Sequence, residues 1–172
     1  MIDGHTKLAG VRGWPVEHSR SPLLHHHWCR VHGVNGAYVP LPTRPEHFEA
    51  ALKGLAAAGF QGVNVTIPHK EAAMRACDRL TDTARRAGAV NTVRFENGQI
   101  IGDCTDGTGF CDNLTAHDVT LSGRALILGA GGAARAVAAA LLDRGCEVIV
   151  ANRTLERAEA MVAALKGGEA VE

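Results

Sequence analysis

Apolar and polar positions alternate along this chain in two rhythms. KLAGVRGW (7–14) and GFQGVNVTI (59–67) read as strands; in the second, Val63, Val65 and Ile67 alternate with Asn64 and Thr66. AYVPLP (37–42) is a short strand that its prolines confine to an edge or an end. At helical spacing, Phe48, Leu52, Leu55 and Ala56 share one face of RPEHFEAALKGLAAAG (44–59). SPLLHHHWCRVHG (21–33) is a second helix, with Ser21 as N-cap, Pro22 at the first helical position and Gly33 at the stop. HKEAAMRACDRL (69–80) is a third, and DTARRAG (82–88) adds a short helical turn. AVNTVRFENGQIIGD (89–103) reads as a hairpin turned at Asn97-Gly98, and DGTGFCDNLTAHD (106–118) as the helix leading out of it. Strands alternating with helices imply an α/β fold, mostly parallel, with covered sheet faces. The polar stretch TAHDVTLSGR (115–124) is the natural boundary, giving domains 1–118 and 119–172.

One stretch breaks the local rules. In NVTIPHKEA (64–72), Pro68 is placed to open a helix, yet Lys70 puts a cation in that first turn, against the helix dipole. Asn64 and Thr66 add an amide and a hydroxyl at the end of an otherwise apolar strand. Such departures mark places where function overrides local preference. The alternative is a solvated lysine beside a capping threonine.

Composition narrows the classes. Lys+Arg and Asp+Glu are both 18, so no global field draws in nucleic acid or an anionic membrane. Hydrophobic residues make up 46% and aromatics only 4%, with 20 glycines, a mix for packed cores and tight turns rather than an aromatic recognition surface. No apolar run approaches the roughly 20 residues that span a bilayer. MIDGHTKLAGVRG lacks the apolar segment of a secretory signal, so the expectation is a soluble, cytoplasmic protein. Cys29, Cys77, Cys104, Cys111 and Cys146 are odd in number and form no CxxC, which suits free thiols in a reducing compartment. His25, His26 and His27 point about 100° apart on a helix and cannot share one face, so no metal site is expected.

The sharpest signal is RALILGAGGAARAVAAALLDRGCEVIVANRT (124–154). Gly129, Gly131 and Ala134 fit G-x-G-x-x-A between a strand and a helix, inside one βαβ unit of about thirty residues. Gly129 permits the tight turn, Gly131 lets backbone approach a pyrophosphate, and Ala134 allows close helix–strand packing. With Ala130, Gly132 and Ala133 they form a phosphate-binding loop at a helix N-terminus. An NAD site wants Asp or Glu about 20 residues on, for the ribose 2′-OH. Here stand Asn152, Arg153 and Thr154, with Arg157 one turn beyond. Guanidinium groups without a carboxylate suit a 2′-phosphate, so NADP is the expected cofactor.

Taken in order, Ser19-Arg20-Ser21-Pro22, NVTIPHK ending at Lys70, AGAVNT with Asn91, GDCTDG with Asp106, GAGGAAR and NRT resemble the shikimate dehydrogenase family along the whole chain. The resemblance implies an N-terminal α/β substrate domain with a mostly parallel sheet, followed by the first half of a Rossmann NADP-binding domain. It implies reversible, NADPH-dependent reduction of 3-dehydroshikimate to shikimate. By position, Lys70 and Asp106 match the family's catalytic pair, with Lys70 held by Asp106. Ser19 and Ser21 match the hydroxyls that hold the substrate carboxylate, and Thr66 and Asn91 match groups that bind the ring hydroxyls. A site pairing each polar group of a small polyhydroxylated acid rejects analogues lacking one. Each residue has a plainer alternative: Ser21 and Asp106 as N-caps, and Asn91 as a backbone partner within the hairpin. Asp103 competes with Asp106, which the family motif favours.

The family's second Rossmann half and its substrate-binding glutamine have no counterpart before Glu172, so a chain lacking the C-terminal part is expected. Two alternatives follow: a quinate/shikimate dehydrogenase preferring NAD, or a non-catalytic module that binds substrate or nucleotide. The expected partner is the small-molecule substrate, with no nucleic acid or membrane. With only two strands counted after residue 124, an open edge there leaves room for a homodimer.

Overall fold

The computed structural model describes residues 2–172. Two compact units emerge, one holding the residues up to Thr81 together with 90–103, the other holding 82–89 and 104–172. The boundary expected between 118 and 119 falls inside the second unit.

In the first unit the chain runs β1 (Lys7–Gly13), α1 (Ser21–Val31), β2 (Gly36–Pro42), a 3₁₀ turn (Pro45–His47), α2 (Phe48–Ala57), β3 (Gly62–Val65), α3 (Lys70–Ala76) and β4 (Arg79–Leu80). It resumes with β5 (Thr92–Glu96) and β6 (Gln99–Asp103). These strands form a six-stranded sheet in the order β2-β1-β3-β5-β6-β4. β1 pairs in parallel with β2 and β3, and β4 with β6, while β5 is antiparallel to both its neighbours. The β5–β6 hairpin turns at Asn97 (φ 50) and Gly98 (φ 76), the paired positive φ values of a type I′ turn. One sheet face buries Val11, Tyr38 and Val16, with Ala9 packed against them.

Three boundaries differ from the sequence expectation. Ser21 is not the N-cap of α1. Arg20 holds that position, already in the right-handed helical region, and its carbonyl accepts the Leu24 N–H. Pro68 does not open α3, which is capped at His69 and begins at Lys70. The helix also stops at Ala76 instead of reaching residue 80. Cys77 turns extended, and Asp78 then binds Ile100 twice, N–H to carbonyl at 2.8 Å and Oδ2 from the Ile100 N–H at 2.7 Å. That pairing draws Arg79 and Leu80 into the sheet.

The second unit contains α4 (Asp82–Ala87), α5 (Asp106–Ala116), β7 (Arg124–Leu128), α6 (Gly132–Leu142), β8 (Glu147–Ala151), α7 (Leu155–Leu165) and β9 (Glu169–Val171). Its sheet is all parallel, in the order β7-β8-β9. The count of two strands is thereby corrected to three. Lys166 in the left-handed region ends α7, and the Asn152 N–H donates to the Val171 carbonyl to hold the short third strand. Val148, Val150, Met161 and Leu165 form the core with the alanine face of α6. Gly107 brings α5 close against α6, since a Cβ there would overlap the Ala136 carbonyl oxygen. No helix among the described residues is long and apolar enough to cross a membrane.

Candidate active site

The polar residues singled out in the first unit are drawn together by backbone hydrogen bonds between segments distant in sequence. Thr66 follows β3, and its N–H donates to the Arg12 carbonyl at the end of β1 (2.8 Å). The Val65 N–H donates to the Asn91 carbonyl at 2.7 Å, and the Asn91 N–H to the Asp103 carbonyl at 3.0 Å. The Lys70 carbonyl accepts the Val90 N–H at 3.0 Å. Thr66, Lys70 and Asn91 therefore sit on adjoining stretches of backbone at one end of the sheet. Ser19 and Ser21 lie where β1 gives way to α1, and Ser19 Oγ accepts the Ser21 N–H at 3.3 Å. Asn91 is buried, whereas Ser19, Ser21, Thr66 and Lys70 are half-buried. Asp103, the rival of Asp106, accepts the Thr81 hydroxyl on Oδ1 at 2.6 Å.

A side-chain relay runs beneath these residues. The Tyr38 hydroxyl donates to Asn64 Oδ1 at 2.7 Å, Asn64 Nδ2 to Thr92 Oγ1 at 3.2 Å, and Thr92 Oγ1 to Asn91 Oδ1 at 3.0 Å. His25 stacks on the Tyr38 ring with centroids 3.9 Å apart and planes 2° apart, and His26 Nε2 accepts the Tyr38 N–H at 3.3 Å. Burial pushes the Tyr38 hydroxyl up to about 12, opposed by a hydrogen bond from Ser21.

On the other sheet face, Arg12 is fully buried; Nη2 donates to Thr43 Oγ1 at 2.9 Å and the guanidinium lies 4.8 Å from the Phe48 ring centroid. His69, 1% exposed, donates from Nε2 to the Thr43 carbonyl at 2.8 Å and stacks on Phe48 at 4.7 Å. Burial pushes the His69 pKa down, with the Thr43 bond opposing and the Arg12 charge adding to the fall. This packing fixes the residue immediately before Lys70.

In the second unit, Asp106 is the first residue of α5, with Thr105 at the N-cap, so the reading of Asp106 as a mere cap does not hold. The glycine loop follows β7. Gly129 adopts φ +105 while its N–H donates to the Ala151 carbonyl at 2.7 Å, a turn that an L side chain rarely adopts. Gly131 is the N-cap of α6, and no acidic side chain stands in that helix's first turn. A Cβ added at Gly129 or Gly131 would meet nothing within 4 Å, so the space over the loop is open. The first N–H groups of α6, at Gly132, Ala133 and Ala134, have no intrahelical acceptors and sit at the positive end of the dipole. At the end of β8, Asn152 Nδ2 donates to the Thr154 carbonyl at 2.8 Å, shaping a turn from which Arg153 and Arg157 project exposed. Ala130 lines the start of this loop, packed on the core. Open space, unpaired amides and two cations fit a dinucleotide with a 2′-phosphate.

Sequence reasoning missed Tyr38, Thr92 and the Arg12–Thr43–His69 group. The available signal was polar residues at strand positions: Asn64 and Thr92 face each other across the β3–β5 ladder.

Residues 11–93 match the family model of a shikimate dehydrogenase substrate binding domain, and residues 114–172 match that of shikimate/quinate 5-dehydrogenase. Over 171 residues the chain is 82% identical to the shikimate dehydrogenase (NADP(+)) of Gluconobacter oxydans, a match covering 99% of this chain and 61% of that protein. The crystal structure of shikimate dehydrogenase from Aquifex aeolicus superposes with a TM-score of 0.94 at 40% identity, covering 100% of this chain and 65% of that one. The Thermus thermophilus shikimate 5-dehydrogenase in complex with NADP(H) and shikimate gives 0.91 at 43% identity, covering 95% of this chain and 62% of that one. The chain thus spans between 61% and 65% of the length of these relatives.

Proposed function

The chain belongs to the shikimate dehydrogenase family, and from that premise we propose that it carries the substrate-binding and NADP-binding elements of an enzyme interconverting 3-dehydroshikimate and shikimate. The observation that carries the reading is the gathering of Thr66, Lys70 and Asn91 onto adjoining backbone by the Val65–Asn91 and Val90–Lys70 hydrogen bonds. Relatives named for this activity, and one bound to NADP(H) and shikimate, support it.

In this reading the Ser19 and Ser21 hydroxyls donate to the substrate carboxylate, and Thr66 and Asn91 hold ring hydroxyls. NADPH, when bound, supplies a hydride to the keto carbon. The Lys70 ammonium gives its proton to the oxygen on that carbon and stabilises the alkoxide charge as it develops. Asp106 is the second catalytic residue. Gly129 makes the turn with its own N–H on the Ala151 carbonyl, and the amides of Ala130, Gly131, Gly132 and Ala133 beyond it hold the pyrophosphate. Asn152 and Thr154 shape the turn that presents Arg153 and Arg157 to the 2′-phosphate. The five free thiols suit the cytoplasm.

The test is NADP-dependent oxidation of shikimate, with Lys70→Ala. The variant lowers kcat about 10²–10⁴-fold with a far smaller rise in KM. A variant that keeps near-normal kcat removes Lys70 from the chemistry.

A further inference from the structure

We propose that Gly13 is a positioning residue for substrate recognition: by lacking a side chain it seats the Thr66 methyl, and so fixes where the Thr66 hydroxyl points. The inference rests on the reading of Thr66 as a substrate contact.

A threonine Cβ carries a methyl, a hydroxyl and a hydrogen in staggered places, and their handedness is fixed. Where the methyl goes therefore decides where the hydroxyl goes. A Cβ added at Gly13 would lie 2.6 Å from Thr66 Cγ2, so the methyl occupies the space that any side chain at residue 13 would need. The other neighbours of that space are the Ile67 carbonyl oxygen at 3.2 Å and Val16 Cγ2 at 3.4 Å.

The backbone on both sides is held. Beyond the paired residues Arg12 and Val65, the Thr66 N–H donates to the Arg12 carbonyl at 2.8 Å and the Trp14 N–H to the Ile67 carbonyl at 3.1 Å. These two bonds bracket Gly13 against Thr66. On its other side, the Gly13 carbonyl accepts the Thr43 N–H at 3.2 Å. With the backbone pinned, rotation about Cα–Cβ is the freedom left to Thr66, and the seat removes it. Val16, 1% exposed, closes the seat, and its carbonyl accepts the Ser19 N–H at 3.0 Å. The missing side chain at residue 13 thus adjoins both ends of the proposed substrate site, Thr66 on the hydroxyl side and the turn carrying Ser19 on the carboxylate side.

Thr66→Ser keeps the hydroxyl and deletes the methyl, which frees the hydroxyl to sample all its staggered wells. Calorimetric titration of shikimate is expected to show about threefold weaker binding. Gly13→Ala pushes the methyl from its seat and swings the hydroxyl with it, for about tenfold weaker binding. In the double variant the serine has no methyl for the new Cβ to meet, so binding is expected to recover to that of Thr66→Ser alone. Losses that multiply instead would mean that Gly13 acts through the Ile67 backbone, and overturn the proposal. A second readout needs no ligand. Three-bond couplings from Thr66 Cγ2 to its own backbone nitrogen and carbonyl carbon are expected to report one rotamer in the parent, and a different or averaged one in Gly13→Ala. Averaged couplings in the parent, or unchanged couplings in Gly13→Ala, overturn the proposal too, and the parent measurement decides even if Gly13→Ala does not fold. Thr66→Val, which keeps a methyl for the seat and has no hydroxyl, is the control. If it binds shikimate as tightly as the parent, the assignment of Thr66 as a substrate contact is wrong, a failure distinct from that of the seat.

Discussion

Arg12 donates from Nη2 to Thr43 Oγ1 at 2.9 Å, while its Nε and Nη1 are buried with no hydrogen-bond partner. A cation with two unmet donors is an uncomfortable occupant of a sheet face. Burial pushes its pKa down to about 10, so at neutral pH it stays charged. The Phe48 ring and the Thr43 hydroxyl offset part of the desolvation, by about 2 kcal/mol for a desolvated cation–π contact and about 1.5–3 for a charged hydrogen bond. An apolar side chain of similar length meets none of these demands. Arg12→Met is therefore expected to leave stability unchanged or raise it by about 1–3 kcal/mol. Urea denaturation decides: a fall of more than about 1 kcal/mol would mean that the stack and the Thr43 bond outweigh the desolvation.

His69 gives a pH dependence of known sign. Its folded pKa lies below the ordinary 6.5, because it is buried and faces Arg12. Between that depressed value and 6.5 the unfolded chain binds more protons than the folded one, so stability rises with pH there. Its contribution is complete above 6.5, is lost as pH falls towards the folded value, and changes no further below it. His25 is shifted the same way, by burial and by His26, so His69 accounts for only part of the slope. His69→Gln can still donate to the Thr43 carbonyl but does not titrate. Urea midpoints across pH 5–8 should show a smaller slope in the variant. Equal slopes would show that His69 is protonated as easily in the folded state as in the unfolded one.

Legibility followed the range over which each feature is determined. Asn97-Gly98 gave away its hairpin because the turn type is set by the φ values of those two residues alone. The Gly129–Ala134 loop was readable for the same reason, since a strand, a turn and a helix N-terminus are local. The relay from Tyr38 was not, because its hydrogen bonds link residues 26 and 28 positions apart. Arg12 was unreadable as a core residue, since arginine is almost always at the surface. β9 has three residues, too few to show a period, and exists because β8 offers an edge. The premature end of α3 likewise comes from Ile100, far along the chain, and not from any breaker within the helix.

Two glycines of the second unit should respond oppositely to alanine. At Gly107 a Cβ would overlap the Ala136 carbonyl and lie 2.9 Å from Ala140 Cβ, so α5 and α6 must move apart. Gly107→Ala is expected to destabilise the protein by about 1–3 kcal/mol. At Gly132, the first residue of α6, a Cβ meets only Ala89 Cβ, at 3.6 Å, an ordinary contact. There alanine relieves backbone entropy, and stability should hold or rise by about 0.5–1 kcal/mol. Guanidinium midpoints for the pair test the packing of α6. A tolerated Gly107→Ala would mean that the α5–α6 contact is loose.

Arg153 and Arg157 project from the turn after β8 and the first turn of α7, and no carboxylate occupies the strand end where one would bind a ribose 2′-OH. Asn152 is committed to the Thr154 carbonyl at 2.8 Å and holds that turn. Two guanidinium groups on a 2′-phosphate should each contribute a charge-assisted bond worth about 1.5–3 kcal/mol. Arg153→Ala/Arg157→Ala is thus expected to weaken NADP about 10²-fold or more, leaving NAD nearly unchanged. The parent's NADP affinity should also fall with added salt, and the double variant's far less, since the screened charges are gone. Titrating both nucleotides at two ionic strengths separates the outcomes. If the double variant loses NADP and NAD alike, the arginines shape the loop and do not read the phosphate. If the parent itself binds NAD more tightly, NADP is not the cofactor.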